Sequence, residues 1–221
     1  MTRNTMTARM PPGVDPKVFA ACDEFMQFTY GLLGAYLDAL AGLDQIRQNL
    51  VSRQRAKIAE LTKTQPDKAS TDFLDQQALN HGLEADQRKP TELLHRSTQG
   101  DFKRRTAPGG LDARYLSQML IAFLYGAWED RYRERVASSL GHLNKNGLKS
   151  DLFQDINKLR QAILHNQGKA TEGVEKAKVI HWFRGDEDVF ITRERAKQLL
   201  DEIDHYVTQL CGIQRDGTKK V

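Results

Sequence analysis

Leu159-Arg160-Gln161-Ala162-Ile163-Leu164-His165-Asn166 joins a permanent cation to a side chain that exchanges protons near neutral pH, with four residues between them. Cleavage of a phosphodiester without a metal needs these two groups: one to move protons and one to meet the charge that builds on the phosphate. The spacing alone is weak, because six histidines in 221 residues give roughly 0.5 such pairs by chance. With four to six intervening residues allowed, Arg88 with His95 and Arg135 with His142 match as well. The first contains Pro90 and the second crosses Gly141, and each interrupts the helix that must orient the histidine. Arg160 and His165 alone share an uninterrupted amphipathic segment. On an ideal helix they stand about 140° and about 7.5 Å apart, so convergence needs the reach of Arg160, a loosened last turn or a second protomer.

Plainer readings stand beside these. A histidine closing a helix is favoured by the helix dipole, and an arginine near a carboxylate such as Asp155 commonly pairs with it. Asn166 is a candidate for positioning a phosphate or the histidine, and equally a common helix terminator. Glu129 and Asp130 are candidates for orienting Arg160 or His165 from a neighbouring helix, against a solvated face paired with Arg133 and Arg135. Lys103-Arg104-Arg105, beside Pro108-Gly109-Gly110, is a candidate grip on phosphates, against a solvated basic run. Phe123, Tyr125 and Trp128 suit core or dimer packing better than base stacking. The histidines His81, His95, His142, His181 and His205 show no ligand spacing with Cys, Asp or Glu, so no metal site and no cofactor is expected.

The helix that must carry the pair is the most clearly written in the chain. Ser150 opens it, Leu152, Ile156, Leu159 and Ile163 fall at i, i+4, i+7 and i+11, and residues 166–168 end it. Before it, Asp112 caps a long helix with Leu116, Met119, Leu120, Phe123, Ala127 and Trp128 on one side, ending by Gly141. Asp15-Pro16 starts another, read as one long helix that runs towards Thr64, with Gly31 and Gly42 as the places where it could break. Between residues 65 and 110 the pattern weakens, and short helices are expected over 71–86 and around Glu92. Residues 178–183 and 188–191, flanking Arg184-Gly185-Asp186-Glu187, read as a small β-hairpin. Thr192 opens a last helix with Ala196, Leu199, Leu200, Ile203, Tyr206, Val207 and Leu210 facing inward. The expected fold is therefore all-α, a helical bundle with long antiparallel helices plus a small β-hairpin near residues 178–191. The expected organisation is a flexible tail over 1–14, a single helical domain over 15–212 with parts 15–110 and 111–212, and a flexible tail over 213–221.

With 39% hydrophobic side chains, 221 residues bury a core of single-domain size. A net charge of +4 and a pI near 9.0 favour polyanionic partners. Cys22 and Cys211, near opposite ends, form no disulfide framework, so a reduced cytoplasmic setting is expected. The first thirteen residues carry Arg3 and Arg9 but no apolar core, which reads as a tail and not a signal peptide. The longest apolar run, residues 119–128, is shorter than the about 20 residues a span requires, so no membrane is expected among the partners.

Asp155-Ile156-Asn157-Lys158-Leu159-Arg160-Gln161-Ala162-Ile163-Leu164-His165-Asn166 resembles the signature helix of the HEPN superfamily, whose hallmark is Arg, four to six residues and then His. Leu124-Tyr125-Gly126-Ala127-Trp128-Glu129-Asp130 looks like that superfamily's partner helix, and the order of long helices leading to the motif is similar. Many members have Asn directly after the Arg, where this chain has Gln161. The resemblance implies a helical bundle that dimerises so that two Arg/His pairs face one cleft. In many members that cleft performs metal-independent RNA cleavage, often in toxins or phage-defence effectors. On this basis Arg160 and His165 are the catalytic candidates, with Asn166, Gln161, Glu129 and Asp130 in support and Lys103, Arg104 and Arg105 on RNA. The implied partners are RNA, a second copy, and an antitoxin or regulatory protein. The implied products carry 2′,3′-cyclic phosphate and 5′-hydroxyl ends, with DNA spared for want of a 2′-hydroxyl. A non-catalytic HEPN module that binds a nucleotide, RNA or protein is the alternative, and a helical adaptor a third.

Overall fold

A computed structural model describes residues 13–82 and 93–212. The expected tails, apart from residues 13 and 14, and the segment holding Arg88 and Glu92 lie outside the described residues. The Asp15 carboxylate accepts the N–H of Lys17 at 2.7 Å, and Pro16 occupies the first helical position of α1 (Pro16–Thr64). This helix runs 49 residues to Thr64 as one element, unbroken at Gly31 and Gly42. After Pro16 it contains no proline, and a glycine in a helix interior costs only about 1 kcal/mol against alanine, so the two glycines are carried through.

The described residues form two compact units, one holding residues 38–82 and 93–115 and the other residues 13–37 and 116–212. In the first, the end of α1 is followed by α2 (Thr71–Asp75), β1 (Ala78–Gly82), β2 (Leu93–Thr98) and α3 (Gln99–Arg105). Ser70 and Thr98 cap the two short helices, accepting the N–H of Phe73 and Asp101 at 3.1 Å each. The helix expected over 71–86 stops at Asp75, and the residues that follow pair antiparallel with β2, Ala78 opposite Thr98 and His81 opposite His95. Ala78-Leu79-Asn80-His81 carries no β-branched alternation, so its pairing with a distant segment left no local signal.

The second unit packs the start of α1 against α4 (Leu111–Ala127, entering at Leu116), a π-helical turn (Trp128–Tyr132) and α5 (Arg133–Ser139). Glu24 of α1 bonds Arg131 and Arg135 while Phe28, further along, faces Phe123, so the two courses are antiparallel. Leu124, Trp128, Tyr132 and Val136 are all buried at four-residue steps. Each such step drifts about 40° round a regular α-helix, and the wider π turn absorbs that drift. Phe25 meets Trp128 at 5.0 Å and Tyr132 at 5.2 Å, and Trp128 stacks on Phe153 of α6 (Asp151–His165) at 4.0 Å with 12° between the rings. The short α7 (Glu172–Glu175) follows, and then α8 (Arg193–Leu210), which Thr192 caps and which buries Ala196, Leu199, Ile203 and Val207. Among the described residues no helix is long and apolar enough to cross a membrane.

Among the described residues the fold is all-α with one small antiparallel strand pair, but that pair is β1 with β2 and not the hairpin expected near 178–191. Around Gly185 the chain does turn, with Glu187 N–H donating to Arg184 O at 3.1 Å. Its flanks do not ladder with each other, because their polar groups are taken elsewhere. The N–H groups of Lys178, Val179 and Ile180 donate to Asp155, Val189 N–H donates to Gly168 O at 2.7 Å, and Arg195 donates to the carbonyls of Trp182 and Phe190.

Candidate active site

The chemistry-bearing helix α6 is fixed at three points. Ser150 caps its start, accepting Phe153 N–H at 3.3 Å, and Leu152, Ile156, Leu159 and Ala162 seat it in the core. In its middle, the Asp155 carboxylate is 1% exposed and accepts the N–H groups of Lys178, Val179 and Ile180 at 2.7, 2.6 and 3.2 Å, with the Lys158 ammonium at 2.8 Å. Burial opposes ionisation there, but Lys158 and the three N–H donors outweigh it and hold the carboxyl below its ordinary value. At its end, Asn166 and Gly168 both donate backbone N–H to Ala162 O, at 3.0 and 3.2 Å. Gly168 has φ +75°, and a side chain there would collide with the Gln118 amide of α4.

Because Asp155 is bound in this way, it is not the partner of Arg160. The guanidinium instead lies over the ring of Tyr125 on α4, 5.5 Å from its centre, and forms no ion pair among the described residues. Burial pushes the Tyr125 hydroxyl up, and the neighbouring Glu129 carboxylate adds to it. Glu129, on the π turn, binds Arg133 at 2.8 Å and Lys145 at 2.9 Å. Burial again opposes its charge, and the bonds from Lys145 and Arg133 hold its carboxyl below the usual range. Arg133 also donates to Leu148 O at 3.1 Å.

His165 is the last residue of α6 and is exposed. Asn166 is the C-cap residue; its amide donates to Lys169 O at 3.0 Å and so serves the turn that follows. Gln161 and Asp130 are exposed, on α6 and on the π turn. Tyr125 thus gathers Arg160 and Glu129 into one neighbourhood, with His165 at the open end of the same helix. The basic run belongs to the Asp38–Tyr115 unit, where each cation faces a carboxylate: Lys103 with Asp75 at 2.6 Å, Arg104 with Asp101, and Arg105 with Asp112 at 3.2 Å.

Reasoning from sequence named Tyr125, Trp128 and Glu129 but missed Gln154 and Asn157. A cleft of about 90 Å³ opens beside Tyr125, whose ring carries the Arg160 guanidinium, and is bounded also by Trp128, Glu129, Arg133, Gln154 and Asn157 among others. Gln154 and Asn157 stand one turn apart on α6 and Asn157 one turn before Arg160, a polar ridge that the 3.6-residue period could have marked. Among the described residues no three His, Cys, Asp or Glu side chains are placed to hold a metal ion. No family model matches the chain, and no curated protein and no solved structure matches it.

Proposed function

We propose that this chain is a metal-independent RNA endonuclease of the HEPN type, working as a homodimer whose two Arg160/His165 pairs share one cleft. One His165 takes the proton of a ribose 2′-hydroxyl, the freed oxygen attacks phosphorus, and the bond to the 5′-oxygen breaks. The leaving oxygen takes a proton from an imidazolium, supplied by the second copy's His165. Arg160 meets the charge that develops on the non-bridging oxygens. The products are a 2′,3′-cyclic phosphate and a 5′-hydroxyl, no water is consumed, and DNA is spared. Unrestrained cleavage of this kind arrests growth, which fits a cytoplasmic toxin or phage-defence effector held by an antitoxin or regulatory protein.

The observation that carries this reading is the state of Arg160. A half-buried arginine held over a tyrosine and free of any carboxylate among the described residues keeps its whole charge for a phosphate, five residues before an exposed histidine. Expression of the wild type beside His165→Ala and Arg160→Ala tests it in cells. Growth arrest by the wild type alone, with degraded RNA, is the expected outcome, and equal RNA degradation by folded His165→Ala overturns it.

A further inference from the structure

The cleft beside Tyr125 carries features that proton transfer and charge stabilisation do not use. Its about 90 Å³ is room for several waters or one flat ring. The stacked Trp128 and Phe153 line it, with Tyr125, the residue shared with Arg160, beside them. Its hydrogen-bonding wall sets the acceptors of Glu129 and Asn157 beside the cations Arg133 and Lys149. Asn157 Oδ1 is shielded from solvent and meets no hydrogen-bond donor among the described residues, a condition that costs free energy until a donor arrives. Glu129 adds a carboxylate with lone pairs to spare beyond those that bind Arg133 and Lys145. Asn157 precedes Arg160 by one helical turn, about 4.5 Å of rise, so a group held there belongs to the nucleotide next to the one whose phosphate meets Arg160.

We propose that this cleft receives the nucleobase flanking the cleaved bond and, through Asn157, selects a base with an exocyclic amino group over uracil, a subsite that rests on the ribonuclease reading above. Adenine, cytosine and guanine each present an exocyclic amino donor to the Asn157 oxygen, whereas the ring N3–H of uracil lies between two carbonyl oxygens that would face the Asn157 and Glu129 oxygens. The flat face of the base lies against the aromatic side of the cleft, as stacking of a flipped single-stranded base requires.

The test uses the full chain and two readouts. In the first, oligoribonucleotides that differ only in cytidine or uridine, or adenosine or purine riboside, beside a fixed scissile bond are cleaved by the wild type. A preference of about tenfold for the amino-bearing base is expected. Asn157→Ala should reduce it below threefold, and Asn157→Asp, which keeps an acceptor, should retain it. In the second, binding of cytidine and uridine 3′-monophosphates is followed by tryptophan fluorescence in a Trp182→Phe background, which leaves Trp128 as the one reporter and needs no turnover. Cleavage without base preference, or a preference untouched in folded Asn157→Ala, overturns the subsite. If the wild type cleaves nothing yet binds the cytidine nucleotide tightly through Asn157, the subsite stands and the nuclease reading falls; equal binding of both nucleotides overturns the subsite whatever the cleavage result.

Discussion

Replacing Asp155 by alanine strikes the joint that holds α6 to the segment at 178–180. The lost carboxylate accepts three backbone N–H groups, those of Lys178, Val179 and Ile180. A hydrogen bond to a charged group contributes about 1.5–3 kcal/mol, and breaking a buried ionic cluster costs about 3–5 kcal/mol. Lys158, partly exposed, rehydrates at little cost, so the stranded N–H groups set the loss, and we expect Asp155→Ala to destabilise the fold by about 3–5 kcal/mol. For a chain of this length that lowers Tm by about 6–20 °C. Urea unfolding followed by tryptophan fluorescence reads it, and Asp155→Asn, which keeps a neutral acceptor, should fall between the two. Acid gives an independent check. The folded carboxyl lies below its ordinary value, whereas in the unfolded chain it takes up its proton near about 3.9. Its contribution is therefore complete at neutral pH and is lost as pH falls through the lower, folded value. The gap between wild type and variant should stay constant from about pH 7 to 5 and narrow only below about 4. A loss under about 1 kcal/mol, or a gap that changes between pH 5 and 7, refutes the anchoring role.

Trp128→Leu removes the stack on Phe153 and the contact with Phe25, and is expected to cost about 2–4 kcal/mol in urea unfolding; an unchanged midpoint contradicts the described core. Gly168→Ala forces a side chain into a left-handed backbone against Gln118, so stability should fall by about 1–2 kcal/mol, and RNA cleavage with it because the end of α6 is displaced. Arg160→Lys keeps the charge but loses the planar fork, and should slow cleavage at least about tenfold with Tm unchanged, whereas full activity in that variant shows that a point charge suffices.

The helical class, α6 with its Ser150 start and the cap at Thr192 were legible because they are local: a capping oxygen followed by apolar residues at steps of three and four. What escaped the sequence is non-local. β1 and β2 depend on pairing across an intervening segment, and the 178–191 stretch looked like a hairpin although its N–H groups were destined for Asp155 on another element. The π turn at Trp128–Tyr132 has no proline or glycine inside it to announce it; it follows from the need to keep Leu124, Trp128, Tyr132 and Val136 on one buried line. Arg160 and His165 were singled out from residue type and resemblance. That Asp155 binds elsewhere, leaving Arg160 without it, and that Asn157 stands beside the cleft are facts of tertiary packing.

The most direct measurement is the fate of end-labelled tRNA and mRNA incubated with wild type or His165→Ala in EDTA, with analysis of the product ends. Cleavage by the wild type alone, leaving 2′,3′-cyclic phosphate and 5′-hydroxyl ends, is the predicted result. Intact RNA with the folded wild type, or identical cleavage by His165→Ala, contradicts the assignment of Arg160 and His165 as the catalytic pair.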